Sequence, residues 1–584
     1  MSVKQSVDYR KLKDEWKAKG EIPEWYSTNA LQFFMDKYSY MGESVKSRDK
    51  TIAKYLAENA PDIYPEFWED DEYTKGKTWE EVFFELIFTD GFAVLSTPLK
   101  ANGGLPDRGM PISCSGQTLS NSIASKSFIA GELEQLIKNA HGCAIAMEDW
   151  LAEGDIYDAD GNISEGIVPL ILRYQEDTEL TNQGIRRGQT AFYVSAEHGD
   201  FWKVADLLFS LHDKLNIGWI IRDSFIEKLN NKDKEALARM ARIIKLRTSV
   251  GKGYIVKLDT MNRNKADVFK ILDMEVRGSN LCSELNLPAN EEYTFSCPII
   301  NANLSLYDKF PKHLFFLLQV MQDCNVSGYL KQLESKKGNA KLFLSKIYNF
   351  TKDFRATGMG TCGFHTLLMM KGFVYGDMDS IILNDEIFSR QRKETYEASE
   401  WLGEVLGVPD GVKRAGLTRR NATTMFAPPT KASTELAVNS PSEGVGLQTA
   451  MVKVKETVGG DLFRIEKPFL DLLKKKGLYN TEFVNKIAQA RSIQNFDEFT
   501  DHEKRVFACA FEISMEAHLA MCSQRQPYFD QQQSINLYAS SSDSEEVIGS
   551  WHKIALDDDM TNALYYCYSS RGASYERQEC EACT

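Results

Sequence analysis

From about residue 91 onwards, short apolar runs alternate with longer stretches of helical periodicity, and this alternation constrains the fold more than any other feature. Five runs have the composition of strands: residues 168–173, 191–195, 217–221, 254–258 and 423–426. Helical spacing covers residues 121–140, 200–214, 227–248, 312–334 and 502–522. Strands that alternate with helices predict an α/β architecture.

The two ends of the chain differ from this central part. Residues 1–90 are rich in charged and aromatic side chains with helical spacing, which predicts an N-terminal helical region. Residues 91–568 are expected to form the main domain, and they end in the apolar, β-prone run 563–568. Residues 569–584 are polar and show no core pattern, so we expect a flexible C-terminal tail.

Composition excludes several classes of function. The net charge of −14 argues against a general nucleic-acid or anionic-membrane binder, because both need a positive surface. The longest apolar runs, such as 313–321, have the length of core helices rather than of membrane spans. The first residues lack the apolar stretch of a signal peptide, and the 11 scattered cysteines do not resemble a secreted disulfide framework. We expect a cytoplasmic protein with reduced thiols.

Asn280, Cys282 and Glu284 are the most informative residues for chemistry. In an extended segment, side chains two residues apart point the same way, so an amide, a thiol and a carboxylate would converge. An amide orients hydroxyls, a carboxylate takes a proton, and a thiol serves as a nucleophile or a one-electron donor. An isolated cysteine is more often a small buried filler, so this hypothesis depends on the rest of the chain.

The tail carries Cys580 and Cys583 in a CxxC arrangement. Such a pair is a redox dithiol or half of a zinc site, and the zinc alternative needs a second Cys/His pair, which the distant His552 does not supply. An incidental pair in a frayed terminus is the third alternative. We favour a dithiol arm that carries reducing equivalents to a buried pocket, and we predict no metal site. Cys114 and Cys297 could receive the electrons, although only the fold could bring them together.

Two further motifs have a plain structural explanation beside a functional one. Tyr565 and Tyr566 are ordinary strand aromatics unless Cys282 must be oxidised, in which case adjacent tyrosines can relay an electron and a proton. The segment after run 423–426 predicts a helix start whose free N–H groups could bind an anion. Ordinary helix capping uses the same residue types and stays open as the alternative. The residues concerned are Thr430, Ala432, Ser433 and Thr434.

Gly358, Gly360 and Gly363 match the dinucleotide-binding fingerprint GxGxxG. The residues before them carry Lys, Asp and Arg and make a poor buried strand, so the strand–turn–helix context is missing. We therefore do not predict a nicotinamide site. No GxxxxGK[ST] pattern occurs, which excludes a P-loop.

Taken in chain order, these features resemble the large, catalytic subunit of class I ribonucleotide reductases. The resemblance runs from Ser96 to the C-terminus and comprises Ser96-Thr97-Pro98, Cys114, Arg186 to Gly188, residues 279–285, Cys297, residues 358–363 and 429–434, the tyrosine pair and the tail cysteines. It implies a ten-stranded α/β barrel, formed by residues 91–568, with Cys282 on a finger loop inside it. In that family the GxGxxG lookalike belongs to the catalytic domain and binds no nicotinamide.

The resemblance also implies a reaction. A radical from a separate, metal-containing small subunit would pass through Tyr566 and Tyr565 to Cys282, whose thiyl would take the 3′-hydrogen of a ribonucleoside diphosphate. Glu284 would take the 3′-hydroxyl proton, and Asn280 would hold the ribose hydroxyls. Two reducing equivalents would come from a redox pair, and the tail dithiol would restore that pair with electrons from thioredoxin or glutaredoxin. The redox pair is Cys114 with Cys297, and the tail dithiol is Cys580 with Cys583.

A homodimer without a permanently bound cofactor is implied as well. Gln183, Gly184, Arg186 and Gly188 match the loop that links a dNTP or ATP specificity effector to the substrate. Two departures from the family stand out. Residues 116–126 contain no Asp or Glu where the family has a specificity-site acid, and residues 1–80 contain no counterpart of the ATP-cone. We therefore expect no overall dATP switch from such a domain.

Several alternatives remain at this stage. A cobalamin-dependent (class II) reductase shares the thiols and the tail, although the tyrosine pair favours an external radical subunit. A glycyl-radical enzyme fits less well, because the radical-glycine context and a four-cysteine zinc motif are missing. A thiol–disulfide oxidoreductase acting through the tail cysteines would leave Asn280, Glu284 and the tyrosines without roles. A non-catalytic interaction protein would make every thiol dispensable.

Overall fold

Strands and helices alternate along the chain in a computed structural model that describes residues 8–181, 188–429, 432–455 and 462–570. The strands are β1 Ala93–Leu95, β2 Cys114–Thr118, β3 Gly142–Ala146, β4 Thr190–Ser195, β5 Asn216–Ile221, β6 Tyr254–Lys257, β7 Phe295–Cys297, β8 Ile299–Asn303, β9 Gly358–Cys362, β10 Val452–Lys455, β11 Leu462–Ile465, β12 Leu537–Ala539, β13 Ala563–Leu564 and β14 Cys567–Ser569. They confirm an α/β fold.

The α-helices lie between these strands and before them. They are α1 Tyr9–Ala18, α2 Thr28–Lys37, α3 Val45–Ala57, α4 Trp79–Phe84, α5 Thr97–Asn102, α6 Ile123–Lys138, α7 Val168–Leu180, α8 Phe201–Ser210, α9 Asp223–Asn230, α10 Lys234–Val250, α11 Leu258–Asn264, α12 Asp267–Ile271, α13 Leu314–Glu334, α14 Gly338–Phe343, α15 Ser345–Phe354, α16 Phe364–Lys371, α17 Met378–Leu406, α18 Asp410–Arg414, α19 Ala432–Glu435, α20 Lys467–Lys475, α21 Thr481–Ala490, α22 Asp501–Val506, α23 Met515–Arg525 and α24 Glu545–Asp557. A π-helical turn, Glu85–Thr89, and 3₁₀ turns at Leu304–Lys309 and Gln526–Tyr528 complete the set.

The strands form a curled seven-stranded sheet and smaller pairings that continue it, with β1 antiparallel to β8. Strands β2 to β6 form five parallel neighbours, and β7 and β13 pair antiparallel with the two outer members, β2 and β6. The other half is also parallel: β8 pairs with β9, Met359 bridges Met425, Ala427 bridges Gln533, and β12 pairs with β14. Because β7 runs into β8 and β13 into β14, the halves join at both edges. This arrangement confirms the predicted barrel.

The two faces of the strands β2 to β6 bury different partners. Alternate residues such as Ile145, Phe192 and Trp219 belong to the large core beneath the helices. Their neighbours Ala146 and Tyr193 face the opposite way, as the two-residue period of a strand requires, and lie in a separate buried cluster. Both faces are therefore buried, which is typical of parallel sheets.

The loop between α12 and β7 fills the inner side of the barrel. Its residues Val276, Leu281 and Cys282 belong to the same buried cluster as the inward-facing strand residues. Small residues make room for it: a Cβ on Gly278 would stand 3.1 Å from the Cβ of Ala146. This finding confirms the predicted finger loop inside the barrel.

The N-terminal region is helical, as predicted. Helix α4 begins with a capping box between Thr78 and Glu81. Apolar side chains of α3 and α4, including Leu56 and Phe83, share a buried cluster with Phe315 of α13. The region thus packs directly against a barrel helix. The proposed domain boundaries remain a prediction.

Four assignments from the sequence differ from the structure. The helix predicted over 227–248 is divided into α9 and α10. Residues 168–173, predicted as a strand, begin helix α7, because Pro169 fits the first turn of a helix and a short apolar run has no decisive periodicity. The helix predicted over 502–522 is broken into α22 and α23. Residues 423–426 contribute a bridge at Met425 instead of a continuous strand.

The GxGxxG lookalike has a packing explanation. Gly358–Cys362 is strand β9, and a Cβ on Gly358 would overlap the ring of Phe426 at 1.5 Å. Gly363 has φ +85° and precedes α16, a backbone conformation that favours glycine. These glycines therefore serve close contacts between barrel segments. Over the described ranges, no helix combines the length and apolar character that crossing a bilayer requires.

Candidate active site

The finger loop turns sharply at Cys282. Asn280 Oδ1 accepts hydrogen bonds from the backbone N–H groups of Glu284 (3.0 Å) and Leu285 (3.1 Å), and Ser283 has φ +63°. The segment is thus a turn and not the extended run that the sequence suggested, because an Asn side chain can bond to the backbone beyond it. Cys282 is 6% exposed, and Glu284 is 1% exposed.

Three side chains from the barrel hold this turn. Tyr193 donates its hydroxyl to the carbonyl of Asn280 at 2.6 Å, and its oxygen lies 2.9 Å from Ser283 Oγ. Gln532 donates to the carbonyl of Ser283 at 2.8 Å. Ser534 donates to the carbonyl of Cys282 and lies 3.3 Å from Glu284 Oε2. The backbone on both sides of the Cys282 sulfur is therefore fixed from outside the loop.

Cys114 and Cys297 face each other across two barrel strands. They are register partners in the antiparallel pair of β2 and β7. Directly opposed residues in such a pair have Cα atoms about 4.5–5.5 Å apart, a separation that a disulfide can span. Cys297 is fully buried, and Cys114 is 4% exposed. The fold thus joins two cysteines that the sequence could identify only separately.

Consecutive glutamines connect the two cysteine groups. Gln531 donates from Nε2 to Cys297 Sγ at 3.7 Å, while the backbone N–H of Gln532 donates to the carbonyl of Glu284 at 3.2 Å. Burial raises the pKa of the Cys297 thiol well above its ordinary value, the Gln531 amide opposes that rise, and the charges of Cys114 and Glu284 add to it. Glu284 and the cysteine pair therefore lie within electrostatic reach.

Tyr565 and Tyr566 are buried in the same cluster as Cys282. Their ring centroids are 4.3 Å apart. Tyr254 of β6, which the sequence analysis did not select, completes the group: its ring lies 4.7 Å from that of Tyr565, and its hydroxyl donates to the Tyr566 hydroxyl at 3.3 Å. Three phenol rings thus lie in contact beside the thiol.

A buried cation supports the tyrosine pair from the other side of the sheet. Arg247 is fully buried and donates to the carbonyl of Tyr565 at 2.8 Å and to His552 Nε2 at 3.0 Å. Burial lowers the pKa of His552 to about 3, so the ring is neutral and accepts this bond. The sequence analysis did not select Arg247 or the three glutamines at 531–533, although a run of three consecutive glutamines is itself a detectable signal.

Some polar atoms around the finger loop have no hydrogen-bond partner among the residues that the structure describes. They are Asn280 Nδ2, Gln531 Oε1 and Gln532 Oε1, all on fully buried side chains. Buried polar groups in proteins are normally hydrogen-bonded. These atoms offer one donor and two acceptors, which suits a ligand with several hydroxyl groups.

The predicted anion-binding segment is only partly described. Ser433 and Thr434 are buried in α19, a helix of only four residues. Thr430 lies outside the described residues, as does the side chain of Ala432. Ser433 lines a cavity of about 30 Å³, together with Tyr26, Asp49 and Lys100. Phosphate binding at this segment stays a prediction.

Other predicted site residues lie where no structure is described. Gln183, Gly184 and Arg186 of the specificity loop are among them, and so are the tail cysteines Cys580 and Cys583. Gly188, at the end of that loop, is described and precedes β4. Within the described part of the chain, no group of three or more His, Cys, Asp or Glu residues is arranged to hold a metal ion.

Known proteins are similar to this chain in sequence. The ribonucleoside-diphosphate reductase large subunit of Invertebrate iridescent virus 3 is 28% identical over 338 residues, which cover 56% of this chain and 52% of the relative. A vitamin B12-dependent ribonucleoside-diphosphate reductase of Thermoplasma acidophilum is 23% identical and covers 72% of this chain and 56% of the relative. The chain thus spans about half the length of these curated relatives.

A solved structure and a family model extend the comparison. The Actinobacillus ureae class Id ribonucleotide reductase alpha subunit superposes with a TM-score of 0.82 at 25% identity, covering 95% of this chain and 99% of that chain. The family model for the ribonucleotide reductase barrel domain matches residues 231–414 and 406–567, more than half of the chain. The chain therefore belongs to the ribonucleotide reductase barrel-domain family.

Proposed function

We propose that this chain is the large, catalytic subunit of a class I ribonucleoside-diphosphate reductase. The observation that carries the proposal is the combination of one buried thiol, Cys282, with a register-paired dithiol and two tyrosines in ring contact inside one barrel fold. A thiol–disulfide oxidoreductase would have no use for the tyrosines. An interaction protein would have no use for any of the three groups.

The first step is the arrival of a radical. The contact between the Tyr566 and Tyr565 rings supports a relay that passes an electron and a proton together, ending with a hydrogen atom taken from the Cys282 thiol. The radical originates on a separate, metal-containing small subunit, which is the partner we propose. Burial of all three groups excludes water that would quench a radical.

The thiyl at Cys282 then takes the 3′-hydrogen of the ribose, and Glu284 takes the 3′-hydroxyl proton. The unpartnered Asn280 Nδ2 is a donor for a ribose hydroxyl. The 2′-hydroxyl leaves as water, and the two thiols of Cys114 and Cys297 supply two electrons and two protons while they form a disulfide. The sum is one ribonucleotide and two thiols converted to one 2′-deoxyribonucleotide, one disulfide and one water.

Turnover requires that this disulfide is reduced again. We assign that role to Cys580 and Cys583, which receive electrons from thioredoxin or glutaredoxin. The diphosphate of the substrate would lie near Thr430, Ala432, Ser433 and Thr434. A dNTP or ATP effector acting through Gln183, Gly184, Arg186 and Gly188, a homodimeric assembly and a cytoplasmic location complete the proposal.

One assay decides between the candidates. The purified chain is incubated with a ribonucleoside diphosphate and a dithiol reductant, alone, with its candidate small subunit, or with adenosylcobalamin. We expect deoxynucleotide only when the small subunit is present. Product with cobalamin alone would assign the chain to the cobalamin-dependent class instead. The similarity to the vitamin B12-dependent reductase of Thermoplasma acidophilum is the reason for testing this alternative. Absence of product in every arm would contradict the proposed activity.

A further inference from the structure

We propose that Gln531 sets the direction of thiol–disulfide exchange at the redox pair: the incoming thiolate attacks Cys114, and Cys297 leaves. This inference rests on the proposed function, because it assumes that Cys114 and Cys297 form a disulfide. It assigns to Gln531 direct contact with a reacting sulfur.

The Gln531 amide donates to Cys297 Sγ, and further hydrogen bonds hold Gln531 in place. Nε2 lies 3.7 Å from Cys297 Sγ, 3.1 Å from the carbonyl of Thr357 and 3.2 Å from Thr423 Oγ1, and these three acceptors share its two N–H groups. The Gln531 carbonyl accepts from Gln526 Nε2 at 2.8 Å, which fixes the backbone at the same point. The donor is therefore in place before any negative charge appears on the sulfur.

The two sulfurs are not equivalent in their surroundings. Cys297 is fully buried, whereas Cys114 keeps 4% of its surface exposed and so lies nearer to the path of an incoming thiol. Burial disfavours a thiolate and raises the pKa of Cys297, while the Gln531 amide acts in the opposite direction. A hydrogen bond to an ionised acceptor is stronger than one to the neutral group, so this contact strengthens as the sulfur becomes anionic.

The chemical step balances. A thiolate from the reducing dithiol attacks Cys114 Sγ, a new S–S bond forms there, and the Cys114–Cys297 bond breaks. The electron pair of the broken bond goes to Cys297 Sγ, which the Gln531 N–H stabilises until a proton arrives. The exchange rate depends on which sulfur is attacked and on the stability of the leaving thiolate. Burial makes the Cys297 thiolate less stable, and the Gln531 donor reduces that cost at the moment the S–S bond breaks. The second thiol of the dithiol then releases Cys114.

The test uses the full chain with Cys580→Ser and Cys583→Ser, so that no internal tail thiol competes. The Cys114–Cys297 disulfide is formed with diamide and then treated briefly with N-acetylcysteine, a monothiol. The free thiols are blocked, and mass spectrometry counts the N-acetylcysteine adduct on each cysteine. We expect the Cys114 adduct to exceed the Cys297 adduct by about threefold or more.

Gln531→Met keeps the side-chain length and removes the donor, so the adduct ratio is expected to approach one and the exchange to slow. Thr423→Val is the matched control, because it removes one neighbour of the amide and leaves the donor at the sulfur. If Gln531→Met does not fold, Gln531→Glu is the substitute, because it also removes the amide donor. A dominant Cys297 adduct, or an unchanged ratio without the amide, would overturn the inference. Failure of diamide to join the two cysteines would instead contradict the proposed function itself.

Discussion

The two sides of the barrel interior use their side chains in different ways. The relay side consists of Tyr254, Tyr565 and Tyr566, whose phenol rings lie in contact with one another, and of Tyr193, which lies in the same buried cluster. The dithiol side, formed by Cys114, Cys297 and Gln531, consists of two opposed thiols and an amide that donates to one of them. Close rings suit the transfer of an electron with its proton, whereas an oriented donor suits the departure of a thiolate.

Burial acts on both sides in the same direction but with different consequences. It raises the pKa of the Tyr193 phenol and the pKa of the Cys297 thiol well above their ordinary values. Both groups are therefore neutral near pH 7. Hydrogen-atom transfer needs neutral groups, so the raised pKa values on the relay side need no compensating hydrogen-bond donor. In the proposed reaction the dithiol side expels a sulfur anion during re-reduction, and we infer that Gln531 is the compensating donor.

Changing Tyr565 to Phe is expected to have the largest effect, a loss of turnover of more than about a thousandfold. Phe keeps the buried ring but has no hydroxyl, so it cannot carry a hydrogen atom to Cys282. The measurement is deoxynucleotide formation together with release of tritium from 3′-tritiated substrate. Both are expected to disappear, while exchange at the Cys114–Cys297 disulfide stays as in the parent chain. Retained turnover would show that the Tyr565 hydroxyl is not needed for radical transfer, and the proposed role of the relay side would then be wrong.

Changing Cys114 to Ser tests the dithiol side in the complementary way. A serine cannot supply a reducing equivalent, so deoxynucleotide formation is expected to fall by more than about a hundredfold. The relay side is untouched, so tritium release from the 3′ position is expected to continue. The two variants thus separate radical arrival from reduction. Loss of tritium release in this variant would show that the two sides are not independent.

Changing Tyr254 to Phe is expected to slow turnover about five- to tenfold. The Tyr254 hydroxyl donates to the Tyr566 hydroxyl at 3.3 Å, and a buried hydrogen bond of this kind contributes about 1 kcal/mol. Tyr174→Phe is the matched control, because that phenol donates to the Lys126 carbonyl at 3.0 Å far from the relay side. Equal slowing in both variants would indicate a general effect of losing a buried hydroxyl.

The sequence was sufficient to predict the fold class, because local patterns of strands and helices encode it. The alternation of runs predicts the α/β fold, and the resemblance supplies the barrel and the finger loop, which the structure confirms. The resemblance also implied the pairing of Cys114 with Cys297, but the residues alone could not, because the register between β2 and β7 depends on contacts between distant segments. Tyr254 looks like any strand tyrosine until the fold brings it to Tyr566.

Local conformation was the weaker part of the sequence analysis. Residues 168–173 read as a strand because a short apolar run lacks decisive periodicity, yet Pro169 begins a helix there. The alternation Asn280, Cys282, Glu284 suggested an extended segment, but the Asn280 side chain bonds to the backbone and turns the chain. Side-chain to backbone bonds of this kind compete with regular structure, and period alone cannot reveal them.

Glu132, a buried carboxyl behind the dithiol side, is expected to affect the stability of the fold and not the turnover. Its Oε2 accepts from Gln117 Nε2 of β2 at 2.7 Å and from Thr294 Oγ1, next to β7, at 3.1 Å. Burial raises its pKa from 4.5 to about 7, opposed by the bond from Gln117. This group therefore links the two strands that carry Cys114 and Cys297, and it titrates near neutral pH.

The sign of the pH effect follows from proton binding. Between pH 4.5 and about 7 the folded chain keeps the Glu132 proton that the unfolded chain has released, so the folded state loses stability as the pH rises through this window. The loss amounts to about 3 kcal/mol once the pH is above both values. Glu132→Gln is expected to abolish it, giving a variant that melts a few degrees higher than the parent at pH 8 and at nearly the same temperature at pH 5. Glu134→Gln, an exposed change on the same helix, is the control and is expected to melt like the parent at both pH values. The prediction is contradicted if the difference in melting temperature between the parent and Glu132→Gln is the same at pH 5 and pH 8. The Glu132 carboxyl would then already be ionised in the folded state at pH 5.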